Sequence, residues 1–455
     1  MIRKNKIVTL AIDNVNAKGF GVGRVDDFVL LIDGALPGEQ VEARVLKVKK
    51  RYGYAKLQRV LTPSPHRIVS PCGVSAFCGG CQFQHGTYPL QLAIKKQIVL
   101  DAMTRIGGLA DPPVGDVLGM AGEPFRYRNK AVFPVVPTDT TDGFAIGMYA
   151  PRSHRVVEMA DCLLQHPNHT AVLATVKAHM RKYKISAYDE TAHTGTMRQV
   201  MIRTAHATGE VMVVLVANAQ RLPAELKLAI ALIENAEATT VLFSPHTARS
   251  NAVLGEAFRV LHGAGYIEEA IGAVRYRISA PSFFQVNSRQ VRVLYDTALA
   301  MMGDAARVLD AHAGAGGIAL YAAHHRPQTQ VVGVDITAPA IADAKENAAL
   351  NGIENAQFHT GAAETLVPQL LREGFGPDVA VLDPPRRGCE TTLLDTLVTA
   401  EIPRIVYISC DPATLARDIK RLCEGGYALQ NITPVDMFPM TGHVEAIALL
   451  RRADT

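Results

Sequence analysis

Arg307-Val308-Leu309-Asp310-Ala311-His312-Ala313-Gly314-Ala315-Gly316-Gly317 decides the fold. Four residues of strand character run into a glycine-rich turn, and an apolar helical pattern follows as far as His325. The unit then repeats. Val331-Val332-Gly333-Val334-Asp335 is a second buried strand, and 338–350 reads as its helix. Residues 356–360, 378–383, 404–409 and 443–450 supply further strands, with helices between them. Strands alternating with helices predict an α/β domain, a doubly wound Rossmann-like sheet whose ligands lie beyond the carboxyl ends of the strands.

A glycine turn after the first strand, with an acid closing the second, marks a ligand that carries a nucleoside, because the acid bonds the ribose hydroxyls. Gly314, Gly316 and Asp335 fill these roles. A nicotinamide dinucleotide competes with S-adenosylmethionine for this reading. Two features favour the latter: no second mononucleotide-binding half is present, and the fourth strand ends in Asp383-Pro384-Pro385-Arg386-Arg387-Gly388. That rigid turn sets a carboxylate where a methyl group would be transferred. By itself it would point to methylation of an amino group.

Ile408-Ser409-Cys410-Asp411-Pro412-Ala413-Thr414 changes the chemistry. Cys410 ends an apolar strand directly before a helix that Asp411 can cap and whose first turn suits Pro412. The positive helix end is expected to lower the thiol pKa and favour the reactive thiolate. A lone cysteine at such a place is ordinarily a small core residue. A nucleoside site at the same sheet edge favours a nucleophile instead. Carbon 5 of uracil is a poor nucleophile until a thiolate adds at carbon 6, and a base must afterwards remove the proton from carbon 5. Glu445, where the last strand begins, is the candidate base. Cys389 has no helix to activate it, and Cys423 lies in the helix after Cys410, where it suits core.

The rest of the 455-residue chain is long enough for two more domains. Its net charge is only +4, so local clusters rather than overall charge must show whether it meets nucleic acid. Without a signal segment or membrane-length apolar run, a cytoplasmic location and no membrane partner are expected. Residues 1–62 alternate short apolar runs with turns, as a small barrel does. Its loops at 18–24 and 47–54 interleave cations with Phe20, Tyr52 and Tyr54, a mixture suited to phosphates and stacked bases. The order GFGVGR, FVLLIDGALPGE, KVKKRYGYA resembles the TRAM domain, an OB-like RNA-binding module.

A proline-rich break at 61–67 leads into Cys72, Cys78 and Cys81, spaced by five and two residues around a Gly-Gly pair. This is a ligand nest. Cys162 is the remaining cysteine outside the C-terminal third, and four thiolates fit a structural zinc or an iron–sulfur cluster equally well by spacing. His85, His166 and His169 are possible substitutes for one ligand. Residues 91–109 form an amphipathic helix expected to pack on another domain, and Arg126, Arg128 and Lys130 in FRYRNK are candidate RNA contacts. The pattern up to 275 is β-rich with occasional helices, a mixed α+β central domain. The methyltransferase domain is expected over 276–455.

These motifs, in this order, make the chain resemble the RNA uracil-C5 methyltransferase family along essentially its whole length. The cysteine set with GGCQFQH, then FRYRNK, DCLLQ, SFFQVN, VLDAHAGAGG, GVDI, LDPPRRG, SCDPATLARD and GHVEAIALL carry the resemblance. It implies a [4Fe–4S] cluster on Cys72, Cys78, Cys81 and Cys162, Cys410 as nucleophile and Glu445 as base. It also implies Gln285 and Asp335 on S-adenosylmethionine, Asp383 at the methyl donor and target base, and Phe283 against an extruded uracil. Asn287 and Arg386 are further helpers. The chain departs from the family in its cofactor pocket. His312 and Ala313 stand where an aromatic residue and cysteine are usual, Gly317 where asparagine or threonine is common, and Ala362 where an acid or amide would meet adenine. His312 can still stack on adenosine, so it is kept with Gly314 and Gly317 as a cofactor contact.

Members with both barrel and cluster mostly act on large-subunit ribosomal RNA, which is the expected partner; transfer RNA is the alternative. A protein acting as a monomer is expected, since nothing marks an obligate protein partner. The pocket departures also admit an RNA-binding assembly factor with a vestigial cofactor site.

Overall fold

The computed structural model describes residues 2–453. Met1, Asp454 and Thr455, which the expected first and last domains include, lie outside the described residues. The chain opens with five strands, β1 (Ile7–Val15), β2 (Phe20–Val25), β3 (Phe28–Asp33), β4 (Gln40–Val48) and β5 (Tyr52–Thr62), closed into a barrel in the order β1-β2-β3-β5-β4. Alternate residues of β1 point inward, where Val8, Leu10 and Ile12 meet Leu30, Ile32 and Val41 in the barrel core. The cations of the 47–51 loop remain exposed.

Helix α1 (Tyr88–Arg105) follows the cysteine loop. A six-stranded sheet comes next, built from β6 (Lys130–Pro137), β7 (Phe144–Ile146), β10 (Met197–Thr204), β11 (Val211–Ala217), β12 (Thr240–Pro245) and β13 (Arg259–His262). A small ribbon of β8 (Met148–Tyr149) and β9 (Val156–Val157) lies within the same segment. One face of the sheet is covered by α2 (Asn168–Tyr183) and α3 (Glu225–Ala236). Its other face sends Met201, Met212 and Val214 into a core shared with the C-terminal domain. The hairpin of β14 (Tyr266–Ile271) and β15 (Val274–Ser279) belongs to that shared core too, so the expected division between 275 and 276 runs through it.

The remaining elements alternate as the glycine turn predicts: α4 (Ser288–Met302), β16 (Arg307–Asp310), α5 (Gly317–His325), β17 (Gln330–Asp335), α6 (Ala338–Leu350), β18 (Ala356–Thr360), α7 (Ala363–Arg372), β19 (Val379–Leu382), α8 (Thr391–Thr399), β20 (Arg404–Ser409), α9 (Pro412–Glu424), β21 (Tyr427–Val435) and β22 (Glu445–Arg452). They form a seven-stranded sheet in the order β18-β17-β16-β19-β20-β22-β21. Six strands run in one direction, and β22 enters between β20 and β21 antiparallel to both. Order reverses between β16 and β19, which is where such a sheet opens a ligand crevice. Helix α1 buries Ile94, Ile98, Val99 and Met103 in the same core as Leu415 and Ile419 of α9, so it does pack on another domain.

Two caps fix the entry of helices into the site. Asn287 accepts from the Gln290 amide at 3.1 Å to start α4, and Asp411 accepts from the Ala413 and Thr414 amides at 2.9 and 3.2 Å to start α9. Among the described residues, no helix is long and apolar enough to cross a membrane.

Candidate active site

A cavity of about 880 Å³ opens at the carboxyl edge of the sheet, over the point where strand order reverses. Every strand end around it delivers a reactive side chain. Asp310 closes β16, Asp335 closes β17, Asp383 follows β19, Cys410 follows β20, and Glu445 opens β22. Because β22 runs antiparallel, its first residue rather than its last faces this edge. The Ser409–Ala446 pairing sets Cys410 and Glu445 as the next positions along the two strands.

The Cys410 thiol differs from the expectation of a lowered pKa. Burial first and Glu445 second push it up to about 11, with smaller contributions from Asp383 and Asp411 and only Arg386 opposing them. Burial is the first reason, and the cap removes the field that would have countered it. Asp411 takes the free amides at the start of α9 with a carboxylate of its own, so the helix end is already neutralised. Glu445 is itself buried, and burial together with Asp383 pushes its carboxyl up to about 8 against the pull of Arg386. Asp310 and Asp383 are both raised to about 7 by burial. Without a cationic ligand, this pocket is crowded with carboxyl groups.

Asp335 grips the glycine turn, accepting from the Gly314 amide at 3.0 Å and the Thr337 amide at 2.7 Å. Gly314 holds a φ of +52°, a left-handed conformation that disfavours a side chain. Gly317 has a different reason to be glycine. A Cβ there would overlap the hydroxyl of Tyr295, which reaches across from α4 and also lines the cavity. The departure at Gly317 is thus matched by a bulky partner 22 positions earlier, which local sequence gives no means of pairing with it. His312 lines the cavity with its Nδ1 buried and unpartnered, and burial lowers its pKa to about 4, so the ring is neutral. Ala362 also lines this cavity.

On the opposite wall, Phe283 is 71% exposed, whereas Gln285 is buried and its carbonyl accepts from Asn129 Nδ2 at 2.8 Å. Of the three basic residues in FRYRNK, only Arg128 lines the cavity. Arg126 is ion-paired with Asp161 and donates to the carbonyls of Cys162 and Gln165 at 2.9 and 3.3 Å, so its guanidinium braces the cysteine segment. Lys130 is half-buried, with its ammonium pushed down to about 8 by burial and Arg203.

Sequence reasoning missed Asp310, Tyr295, Phe438 and His443 as wall residues. Asp310 carries the same signal as Asp335, an acid ending a strand, and could have been found by it. Asp418, buried in α9, accepts from Tyr407 Oη at 2.6 Å and from the Cys389 amide at 3.0 Å, which ties that helix to the turn after Asp383.

Cys72, Cys78, Cys81 and Cys162 are brought from 90 residues of sequence into mutual electrostatic reach. The thiols of Cys78 and Cys81 are pushed up chiefly by burial and also by the other cysteines, Cys81 to about 12. Two donors face the sulfurs: the Gly80 amide at 3.4 Å from Cys78 Sγ and Gln84 Nε2 at 3.1 Å from Cys81 Sγ. Among the described residues, no three His, Cys, Asp or Glu side chains converge tightly enough to hold a single metal ion. His166 and His169 do not substitute for a thiol; they are hydrogen-bonded to Asn168 and Thr204.

The sheet order and the acid-lined crevice at its switch point define a class I methyltransferase. Residues 259–453 match the family described as tRNA (Uracil-5-)-methyltransferase, and 3–57 match the TRAM domain. An uncharacterized RNA methyltransferase of Halalkalibacterium halodurans is 42% identical over 453 residues, 99% of this chain and 98% of that protein. One from Bacillus cereus is 40% identical over 460 residues, 100% of this chain and 98% of that protein. The crystal structure of Pyrococcus abyssi tRNA (uracil-54, C5)-methyltransferase with S-adenosyl-L-homocysteine is 26% identical. Its alignment covers 97% of this chain and 100% of that one, with a TM-score of 0.78. The chain belongs to the RNA uracil-C5 methyltransferase family.

Proposed function

We propose that the protein methylates carbon 5 of a uridine in large-subunit ribosomal RNA through a transient covalent bond between Cys410 and carbon 6 of the base. The observation that carries this reading is the placement of Cys410 and Glu445 side by side on neighbouring strands, at the mouth of one cavity with Asp383. Bound S-adenosylmethionine supplies a methyl group on a positively charged sulfur. Asp335, Gly314, Gly317, His312, Gln285 and Asp383 would hold it, and a cavity whose carboxyls are raised by burial suits a cation.

The Cys410 thiol gives its proton to solvent and the thiolate adds to carbon 6, which turns the uracil into an enolate nucleophilic at carbon 5. Once carbon 5 is methylated, the Glu445 carboxylate removes the proton there. The electron pair then expels the Cys410 thiolate and restores the ring. Phe283 and Arg128, on the open wall, are suited to an unstacked base and its phosphate.

Cys72, Cys78, Cys81 and Cys162 fit a polynuclear iron–sulfur centre by donor chemistry, being four soft thiols with N–H groups aimed at two of them. Such a [4Fe–4S] cluster would hold the central segment together, and methyl transfer needs no electron from it.

A specific observation favours transfer RNA as a second reading. The Pyrococcus structure aligns over 97% of this chain and is named for a transfer RNA uridine, so the three-part architecture does not by itself select ribosomal RNA. Mass spectrometry of nucleosides from separated ribosomal and transfer RNA, with and without the gene, tests both. Loss of 5-methyluridine from 23S ribosomal RNA alone is expected; loss from transfer RNA alone would overturn the ribosomal assignment.

A further inference from the structure

Residues 436–444 connect β21 to β22 and deliver Glu445 to the cavity. The segment has no regular structure, yet Asp436, Met437, Met440 and Val444 are all buried. Its shape is imposed from outside. Lys95 of α1 forms a fully buried ion pair with Asp436, Tyr127 Oη donates to the Pro439 carbonyl at 3.0 Å, and Asn287 Nδ2 donates to the Met437 carbonyl at 3.1 Å. Met440 sits at a φ of +67°, which an unbranched side chain adopts only under constraint.

The constraint comes from the cysteine loop. The amides of Gln82 and Phe83 both donate to the Met440 carbonyl, at 2.8 and 3.0 Å. The Gln82 side chain goes further along the segment: its Oε1 accepts from the Gly442 amide at 3.3 Å, while its Nε2 donates to the Gly79 carbonyl at 3.3 Å. The barrel closes the stack, since a Cβ on Gly19 would come within 2.9 Å of Gln82 Cβ, and one on Gly442 within 3.2 Å of the Ala17 carbonyl. One side chain therefore spans the cysteine loop and the approach to Glu445, three residues after Gly442.

We propose that Gln82 is a positioning residue for Glu445, and this rests on the reading of Glu445 as the base. It lies outside the cavity walls and acts by fixing the backbone from Met440 to Gly442, so that the carboxyl meets the proton on carbon 5. Cys410 is held independently, by β20 and the cap of α9. Loss of the Gln82 acceptor should thus slow proton removal and spare thiolate addition.

The test uses the full-length protein and a large-subunit ribosomal RNA transcript. Gln82→Met keeps the length and the backbone bonds but has no acceptor for the Gly442 amide; Gln82→Glu keeps the acceptor. For Gln82→Met, release of free 5-methyluridine should fall about five- to tenfold, the worth of one hydrogen bond. The methylated covalent adduct should accumulate while the adduct with 5-fluorouridine RNA forms at the wild-type rate, and Gln82→Glu should restore release to within about twofold. Unchanged release in Gln82→Met would overturn the proposal. So would a parallel loss of addition and release that Gln82→Glu fails to rescue. Wild-type turnover in a Glu445→Gln protein would instead sink the reading on which the proposal rests.

Discussion

Glu445 stands beside Cys410 because β22 runs antiparallel to β20, and its carboxylate is the foremost charge raising the Cys410 thiol after burial itself. The ionised Glu445 carboxylate opposes ionisation of the Cys410 thiol. In the free protein both hold their protons near neutral pH, with the thiol at about 11 and the carboxyl at about 8. In the proposed mechanism addition comes first and deprotonation of carbon 5 second.

Replacing Glu445 by Gln should leave addition intact and block release. Turnover is expected to fall about 10²- to 10⁴-fold, as for loss of a general base, with a methylated protein–RNA adduct building up on denaturing gels. Wild-type turnover in Glu445→Gln would remove it from the mechanism.

The same carboxyl carries a pH signature in stability. Its folded value is raised from 4.5 to about 8, so between these limits the folded state holds a proton that the unfolded chain has released. Stability of the ligand-free protein should therefore fall as pH rises from about 7 to 8, above the range in which buried histidines such as His312, held neutral, act in the opposite sense, with Asp310 and Asp383 completing their titration at about 7. The expected drop in Tm is about 2 °C. Glu445→Gln should remove the larger part of it, and a wild-type Tm that climbs over this range would contradict the buried-carboxyl picture.

Gly317→Ala is expected to weaken binding of S-adenosylmethionine about tenfold, because its Cβ would overlap the Tyr295 hydroxyl. The clash belongs to a pair. In a Tyr295→Phe background the alanine should cost much less, and calorimetry of all four proteins gives the coupling. Additive effects would show that the two residues do not meet.

Protein purified without air should be brown and carry about four irons per chain, with both lost in Cys81→Ala. Stoichiometric zinc in place of iron would overturn the cluster.

The features legible in sequence were those whose cause lies within a few residues. The Asp310 to Gly317 turn, the Asp411–Pro412 start of α9 and the alternation of β1 each follow from local rules, and each is present. What stayed hidden depends on distant partners. Arg126 reads as an RNA contact until Asp161, 35 residues on, takes its guanidinium. Gly317 reads as a defect in the pocket until Tyr295 fills the space. The helix start after Cys410 reads as an activating field, and it is the surrounding carboxyls and burial that reverse the sign. Residues 436–444 have no periodicity at all, since their conformation is dictated by Lys95, Gln82 and Tyr127 from other parts of the chain.

The central claim is a covalent bond from Cys410 to the target uracil. Incubation with S-adenosylmethionine and ribosomal RNA transcribed with 5-fluorouridine, followed by digestion and mass spectrometry of the linked peptide, measures it directly. The account predicts a peptide containing Cys410 that bears a methylated fluorouridine nucleotide, absent from Cys410→Ala. A linkage at another residue, or an equal yield from Cys410→Ala, would contradict it.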